Sequence, residues 1–162
     1  MNFEKIPEST RFLIIGLGLM GGSYARALKK QGYTVEAKYV TIDTDAALAR
    51  NQKRYDDAKA NYDAGLSTEP PRLPNPKMVT ECHAKVTDIS VSMAPKFDKI
   101  EVWDNNGGKG EQHIIATGGK GKGLTVVPGQ QSDFNRFLSK SKNGLDGFMT
   151  LPDGQVVPVK GD

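Results

Sequence analysis

The sequence predicts an α/β protein in which a βαβ unit is followed by a small, mostly antiparallel α+β unit. Three observations lead to this prediction. A glycine pattern lies between a β-rich run and an amphipathic segment near the N-terminus. Four of the nine prolines stand together at residues 70–76, and beyond them apolar residues alternate with the period of a strand. We therefore expect residues 1–66 to form the βαβ segment, 67–77 a Pro-rich linker, and 78–162 a small, mostly β unit with one helix.

The composition is that of a globular chain and excludes several classes of protein. The 162 residues are 37% hydrophobic and 25% charged, with a formal net charge of +3. These values exclude a fibrous or fully disordered chain, and the charge is too small to demand a nucleic-acid partner. Cys82 is the single cysteine, so neither an internal disulfide nor a cysteine-built zinc site is expected.

Strands and helices are expected to alternate in the first part of the chain. Gly32 and Gly65 each follow an amphipathic segment, where glycine commonly ends a helix. Thr44 or Asp45 is placed to cap the second helix. The predicted elements are, in order, a strand at 11–15, a helix at 20–30, a strand at 39–43 and a helix at 44–64.

Strand patterns dominate the second part. Residues 77–93 alternate between apolar and polar side chains, with a change of phase near Thr87, and they predict a strand with a bulge or break. Ser132 is expected to cap a short helix that carries Phe134, Phe137 and Leu138. The further strands are predicted at 100–104, 112–117, 124–127, 148–151 and 155–159.

The glycine pattern predicts a nucleotide-binding loop. Gly16, Gly18 and Gly21 form G-x-G-x-x-G directly after the first predicted strand and at the start of the first helix. In this pattern the glycines allow a tight turn and a close approach to a pyrophosphate, which the helix N-terminus binds. Asp43 follows the next strand, about 20 residues later, where an acid binds the adenosine ribose. A carboxylate at that position favours NAD over NADP as the cofactor.

Residues 16–33 closely resemble the start of prephenate and arogenate dehydrogenases, and a looser resemblance covers about residues 11–45. The resemblance implies a Rossmann-like NAD-binding unit, with Gly16, Gly18, Gly21 and Ser23 in the phosphate loop and Asp43 at the ribose. It also implies an NAD-dependent oxidoreductase, here truncated or fused because the rest of the chain is not recognised. No catalytic residue is assigned.

A second hypothesis explains the same residues as a targeting segment. An apolar run at 12–22, preceded by basic residues and followed by Ala25-Arg26-Ala27, has the outline of a secretory signal. In that case residues 1–27 are a signal or anchor, and the remainder is a non-enzymatic exported or envelope-attached binding or structural module. The dehydrogenase hypothesis places the protein in the cytoplasm instead. A purely structural turn is the third alternative.

Other candidate sites are weaker. Cys82 and His83, near Asp88 and with His113 elsewhere, do not form a metal-ligand pattern, so no metal is expected. The Gly-rich segment 105–142 carries a basic excess, which allows an anionic partner, although a solvated hairpin connection explains it as well. The sequence makes no prediction of substrate or oligomeric state.

Overall fold

The computed structural model describes residues 6–7, 9–15 and 19–159, and at 14–15 and 19–22 it describes the backbone alone. Within these residues the chain forms an α/β fold. The helices are α1 Leu19–Lys30, α2 Thr44–Asp63, α3 Pro76–Met93 and α4 Gln131–Ser139. The strands are β1 Arg11–Ile15, β2 Thr34–Thr41, β3 Lys99–Asp104, β4 His113–Gly119, β5 Lys122–Val126, β6 Phe148–Thr150 and β7 Gln155–Pro158.

The strands form one sheet in the order β1-β2-β3-β4-β5-β7-β6. The pairs β1–β2 and β2–β3 are parallel, and every later pair is antiparallel. The α/β class predicted from the sequence is therefore confirmed. Because β1, β2 and β3 run in the same direction, their carboxyl ends meet at one edge of the sheet, and the candidate site lies there.

The sheet joins the parts of the chain before and after the Pro-rich segment. Strand β2 precedes the segment and β3 follows it, yet they pair along their lengths from Glu36↔Lys99 to Thr41↔Asp104. The prolines connect α2 to α3, and Pro76 is the first residue of α3. Both predicted units therefore contribute strands to the same sheet.

A single apolar core lies under the helices. Strand β2 buries every second residue, Val35, Ala37, Tyr39 and Thr41, as expected for a strand with one covered face. The ring of Phe137 in α4 packs against the ring of Tyr39, with 5.8 Å between the two ring centres. Burial of each large apolar side chain contributes about 1.5–3 kcal/mol. The largest fully buried apolar side chains are Phe97, Phe134, Phe137, Ile100, Ile115 and Leu124.

The predicted strand at 77–93 was wrong, because these residues form helix α3. Asn75 caps the helix by accepting a hydrogen bond from the Lys77 amide at 2.9 Å, and Pro76 fits the first turn. The buried residues Thr87, Ser90 and Val91 lie on one helical face. β-branched residues produced the alternation that predicted a strand, and burial on a helical face outweighs that weak preference.

Segment 105–142 is not one glycine-rich loop, because it contains β4, β5 and α4. The turn between β4 and β5 requires its glycines. Gly119 has φ +121°, and an added Cβ would lie 2.7 Å from the carbonyl oxygen of Asp98. Gly121 has φ +83° and donates its amide to the Pro95 carbonyl at 2.9 Å. The turn is thereby attached to the end of α3.

Residues 11–15 of the alternative targeting segment form an extended strand that pairs with β2. Among the described residues, no helix combines the length and the apolar character that crossing a bilayer requires.

Candidate functional site

The predicted phosphate-loop residues lie partly outside the described structure. Gly16 and Gly18 are outside the described residues, whereas Gly21 is in the first turn of α1 and Ser23 is exposed on the same helix. Residues 16–18 therefore have the predicted neighbours, a strand before them and a helix after them. That they form a phosphate-binding loop stays a prediction.

Asp43 lies at the carboxyl edge of the sheet, between the end of β2 and the start of α2. It is the N-cap residue of α2, with extended backbone angles, and its carbonyl accepts the Ala47 amide at 2.9 Å. Its carboxylate does not cap the helix. The side chain is 41% exposed, so the acid predicted to bind a ribose is accessible from solvent.

Asn106 connects the ends of β2 and β3. Its side-chain oxygen accepts the Asp43 amide at 2.8 Å, and its side-chain nitrogen donates to Asp43 Oδ1 at 3.2 Å. The same nitrogen donates to Asp104 Oδ2 at 2.6 Å, and Asp104 also accepts the Asn106 amide. Because Asp104 is buried, these bonds compensate for part of its lost hydration. No sequence pattern indicated this link.

Arg136 of α4 supplies a positive charge to the cluster. Its guanidinium lies 3.7 Å from Asp43, 3.6 Å from Asp104 and 3.0 Å from Asp133. The predicted preference for NAD over NADP rests on the negative charge of the Asp43 carboxylate. The guanidinium of Arg136, 3.7 Å away, partly compensates this negative charge. The residues next to Asp43 in the sequence include no basic side chain, so the compensation arises from the fold.

Lys140 reaches the same edge from the end of α4. Its Nζ donates to the hydroxyl of Thr41 and, at 2.9 Å, to the carbonyl of Ile42. Burial lowers the pKa of Lys140 to about 8, against the opposing effect of the carboxylates of Asp43 and Asp104. A lowered pKa increases the fraction of uncharged, nucleophilic amine near neutral pH, and no sequence pattern indicated this lysine.

The two histidines belong to different contacts. His83 of α3 faces Thr44, with Nδ1 3.4 Å from the hydroxyl oxygen, and burial, followed by the charge of Lys140, lowers its pKa. His113 lies 2.9 Å from Asp133, and the hydrogen bond to this carboxylate raises the histidine pKa. Cys82 is exposed. Across the described ranges, no three His, Cys, Asp or Glu side chains converge as a metal-binding group.

The edge of the sheet thus combines the accessible carboxylate of Asp43, a shared guanidinium and a half-buried amine. Comparisons of the chain with protein-family models, with curated proteins and with solved structures found no match. The chemistry of this edge has therefore to be inferred from its own side chains.

Proposed function

We propose that this protein binds a nicotinamide dinucleotide, NAD, at the carboxyl ends of β1 and β2. The supporting observation is the arrangement of these elements. Strands β1 and β2 are adjacent and parallel, helix α1 lies between them in the chain, and Asp43 follows β2. In doubly wound α/β proteins with a Rossmann-like unit, dinucleotides bind at the carboxyl ends of such strands.

In this proposal the pyrophosphate lies against the start of α1. The first amides of a helix lack partners within the helix and carry the positive end of its dipole, so they attract an anion. Gly16, Gly18 and Gly21 would let the backbone approach the phosphates, and Ser23 would contribute a hydroxyl in the following turn. The first turn of α1 contains no acidic residue that would oppose an anion.

Asp43 would accept hydrogen bonds from the adenosine ribose. Its two oxygens offer more acceptor positions than Asn106 and Arg136 occupy, and 41% of the side chain is exposed. The carboxylate is held in place from both sides, which reduces the entropy lost when it binds a hydroxyl. The exposure of Asp43 and its fixed position support the placement of the ribose beside it.

The reaction class follows from the sequence resemblance rather than from the site. A prephenate-dehydrogenase-like oxidoreductase transfers hydride to NAD, and this chain would be a truncated or fused form of such an enzyme. No residue is assigned to hydride or proton transfer.

A cytoplasmic location belongs to the same proposal, because the cofactor is available there. Retention of Met1 in the intact mass of the natively produced protein would support it, whereas cleavage near Leu28 would support export.

Titration of the purified chain with NADH, followed by cofactor fluorescence, tests the proposal. We expect saturable binding that Gly18→Val weakens about tenfold or more, because a side chain there would occupy the space of the pyrophosphate. Gly108→Val is the matched control. It changes an exposed loop glycine whose nearest neighbour for an added Cβ is the carboxylate end of the Glu111 side chain. Absence of saturable binding at millimolar NADH would contradict the proposal.

A further inference from the structure

The half-buried amine of Lys140 lies at the carboxyl ends of the parallel strands. The residue directly follows α4, and its Nζ lies 5.6 Å from the centre of the Phe137 ring. From there the amine reaches Thr41, the last residue of β2, and Ile42, which leads into Asp43. The carboxyl edge is the common ligand-binding position in open α/β sheets. A side chain from the second half of the chain therefore enters a position built by the first half.

The hydrogen bonds of Lys140 suit a neutral amine as well as a charged one. A hydroxyl and a backbone carbonyl accept from Nζ, and neither acceptor is an anion. A neutral amine has two N–H groups, so it can keep both bonds while its lone pair points elsewhere. The titratable groups that face Lys140 from other elements are Asp43, Asp104 and His83. Both carboxylates favour the charged amine, and burial outweighs them.

We propose that Lys140 is a nucleophilic amine that forms an imine with small, neutral aldehydes at the carboxyl edge of the sheet. Asp43 and Asp104 specify this class of ligand. Arg136 shares its single positive charge among Asp43, Asp104 and Asp133, so the cluster stays net negative and disfavours an anionic aldehyde beside the amine. The proposal does not depend on the cofactor proposal, since it requires neither the phosphate loop nor a bound dinucleotide.

The reaction is a condensation without a redox step. The Nζ lone pair attacks the carbonyl carbon, a C–N bond forms, and the carbonyl π electrons move to oxygen. A proton passes from nitrogen to that oxygen and gives a carbinolamine. Loss of water then leaves the imine, so that amine and aldehyde are converted into imine and water. The Thr41 hydroxyl and the Ile42 carbonyl hold Nζ at the site before the attack.

Reductive trapping with propanal tests this on the full-length protein. Cyanoborohydride delivers hydride to the imine and fixes it as a propyl amine, and peptide mapping by mass spectrometry measures each lysine separately. We expect Lys140 to be labelled at least about tenfold faster than Lys142 near pH 7. Lowering a lysine pKa from the usual value of about 10.4 to about 8 increases the free-amine fraction by roughly two orders of magnitude, and partial burial reduces that advantage.

Three further measurements complete the test. The labelling rate at Lys140 should level off above about pH 8, while the rate at exposed Lys142 continues to rise. The advantage of Lys140 should disappear in denaturant, because the fold creates it. Glyoxylate, an anionic aldehyde, should show a smaller preference for Lys140 over Lys142 than propanal does. Equal labelling of the two lysines by propanal would overturn the proposal. A larger preference for Lys140 over Lys142 with glyoxylate than with propanal would overturn the assigned ligand class.

Discussion

The guanidinium of Arg136 lies between carboxylates from three different parts of the chain. Asp43 follows β2, Asp104 ends β3, and Asp133 is one turn before Arg136 on α4. A guanidinium stays charged at any ordinary pH and offers several donors in one plane, so it can serve more than one carboxylate. Arg136 therefore determines how much negative charge a ligand meets at Asp43.

Arg136 should control the choice between NAD and NADP if the dinucleotide binds as proposed. An isolated carboxylate near the NADP phosphate would cost about 1–4 kcal/mol, which is roughly a tenfold or greater preference for NAD. With Arg136 beside Asp43 we expect a preference below about tenfold. Arg136→Gln should widen it to tenfold or more, as measured by the dissociation constants of NADH and NADPH.

Two carboxylate variants serve as controls for this prediction. Asp43→Asn should narrow the preference, because it removes the charge that repels the NADP phosphate. Asp45→Asn should leave it unchanged, since Asp45 is exposed on α2 and follows the acid predicted to bind the ribose. An unchanged NADH to NADPH ratio in Arg136→Gln would show that Arg136 does not compensate the charge at the ribose position.

At the scale of elements, sequence patterns predicted those parts that depend on neighbouring residues. Strand β1, helix α1, helix α2 and the hairpin of β6 and β7 were expected close to their observed bounds, because periodicity and glycine turns are local signals. Helix α3 was missed, although Asn75-Pro76 is a helix-start signal that could have indicated it. Its β-branched residues suggested a strand more strongly.

The candidate site was predictable only where it depends on spacing along the chain. Asp43 was identified from its distance to the glycine pattern and lies at the strand end. Asn106, Arg136 and Lys140 were not identified, because tertiary packing alone brings them to Asp43. Lys140 and Thr41, for example, are 99 residues apart in sequence. No local pattern encodes a contact over that separation.

The contact between β4 and α4 gives the stability a specific pH dependence. His113 at the start of β4 faces two acceptors, the Asp133 carboxylate of α4 at Nε2 and the Glu111 carbonyl at Nδ1, so its charged form can donate to both. The hydrogen bond to Asp133 raises the folded-state pKa of His113 above its unfolded value of about 6.5. The stabilisation is therefore complete below about pH 6.5 and is lost as the pH rises through the folded-state pKa.

His113→Gln should lower the free energy of unfolding more at about pH 5.5 than at about pH 8.5. The side chain is 41% exposed, so the difference should be below about 1 kcal/mol. Urea unfolding at both pH values measures it. His83→Gln should show the opposite trend, because burial lowers the pKa of His83 and charging this residue at low pH opposes folding. An equal loss at both pH values in His113→Gln would contradict the ion pair.

At the scale of the whole molecule, the sheet and core unite the two parts of the sequence. Strands β2 and β3 pair across the Pro-rich segment, and α4 packs its Phe137 on Tyr39 of β2. Helix α1 and the end of α3 also adjoin, since Ala25, Met93 and Phe97 line one cavity of about 150 Å³. The first three strands therefore depend on side chains that the later residues supply.

This dependence predicts that the described chain unfolds as one cooperative unit. Leu124 of β5 is fully buried, so Leu124→Ala should cost about 2–5 kcal/mol through lost burial and the cavity left behind. In a single unit the same loss must appear in β2, far from the substitution in sequence. Hydrogen exchange in increasing urea, followed by mass spectrometry, can compare peptides that cover 34–41 with peptides that cover 113–126. We expect both sets of peptides to shift to the same lower urea midpoint.

Leu73→Ala is the control, because it makes the same change at an exposed position in the Pro-rich segment. It should alter the free energy of unfolding by no more than about 0.5 kcal/mol. If Leu124→Ala lowers the midpoint in 113–126 and leaves 34–41 unchanged, the two parts fold independently despite the shared sheet.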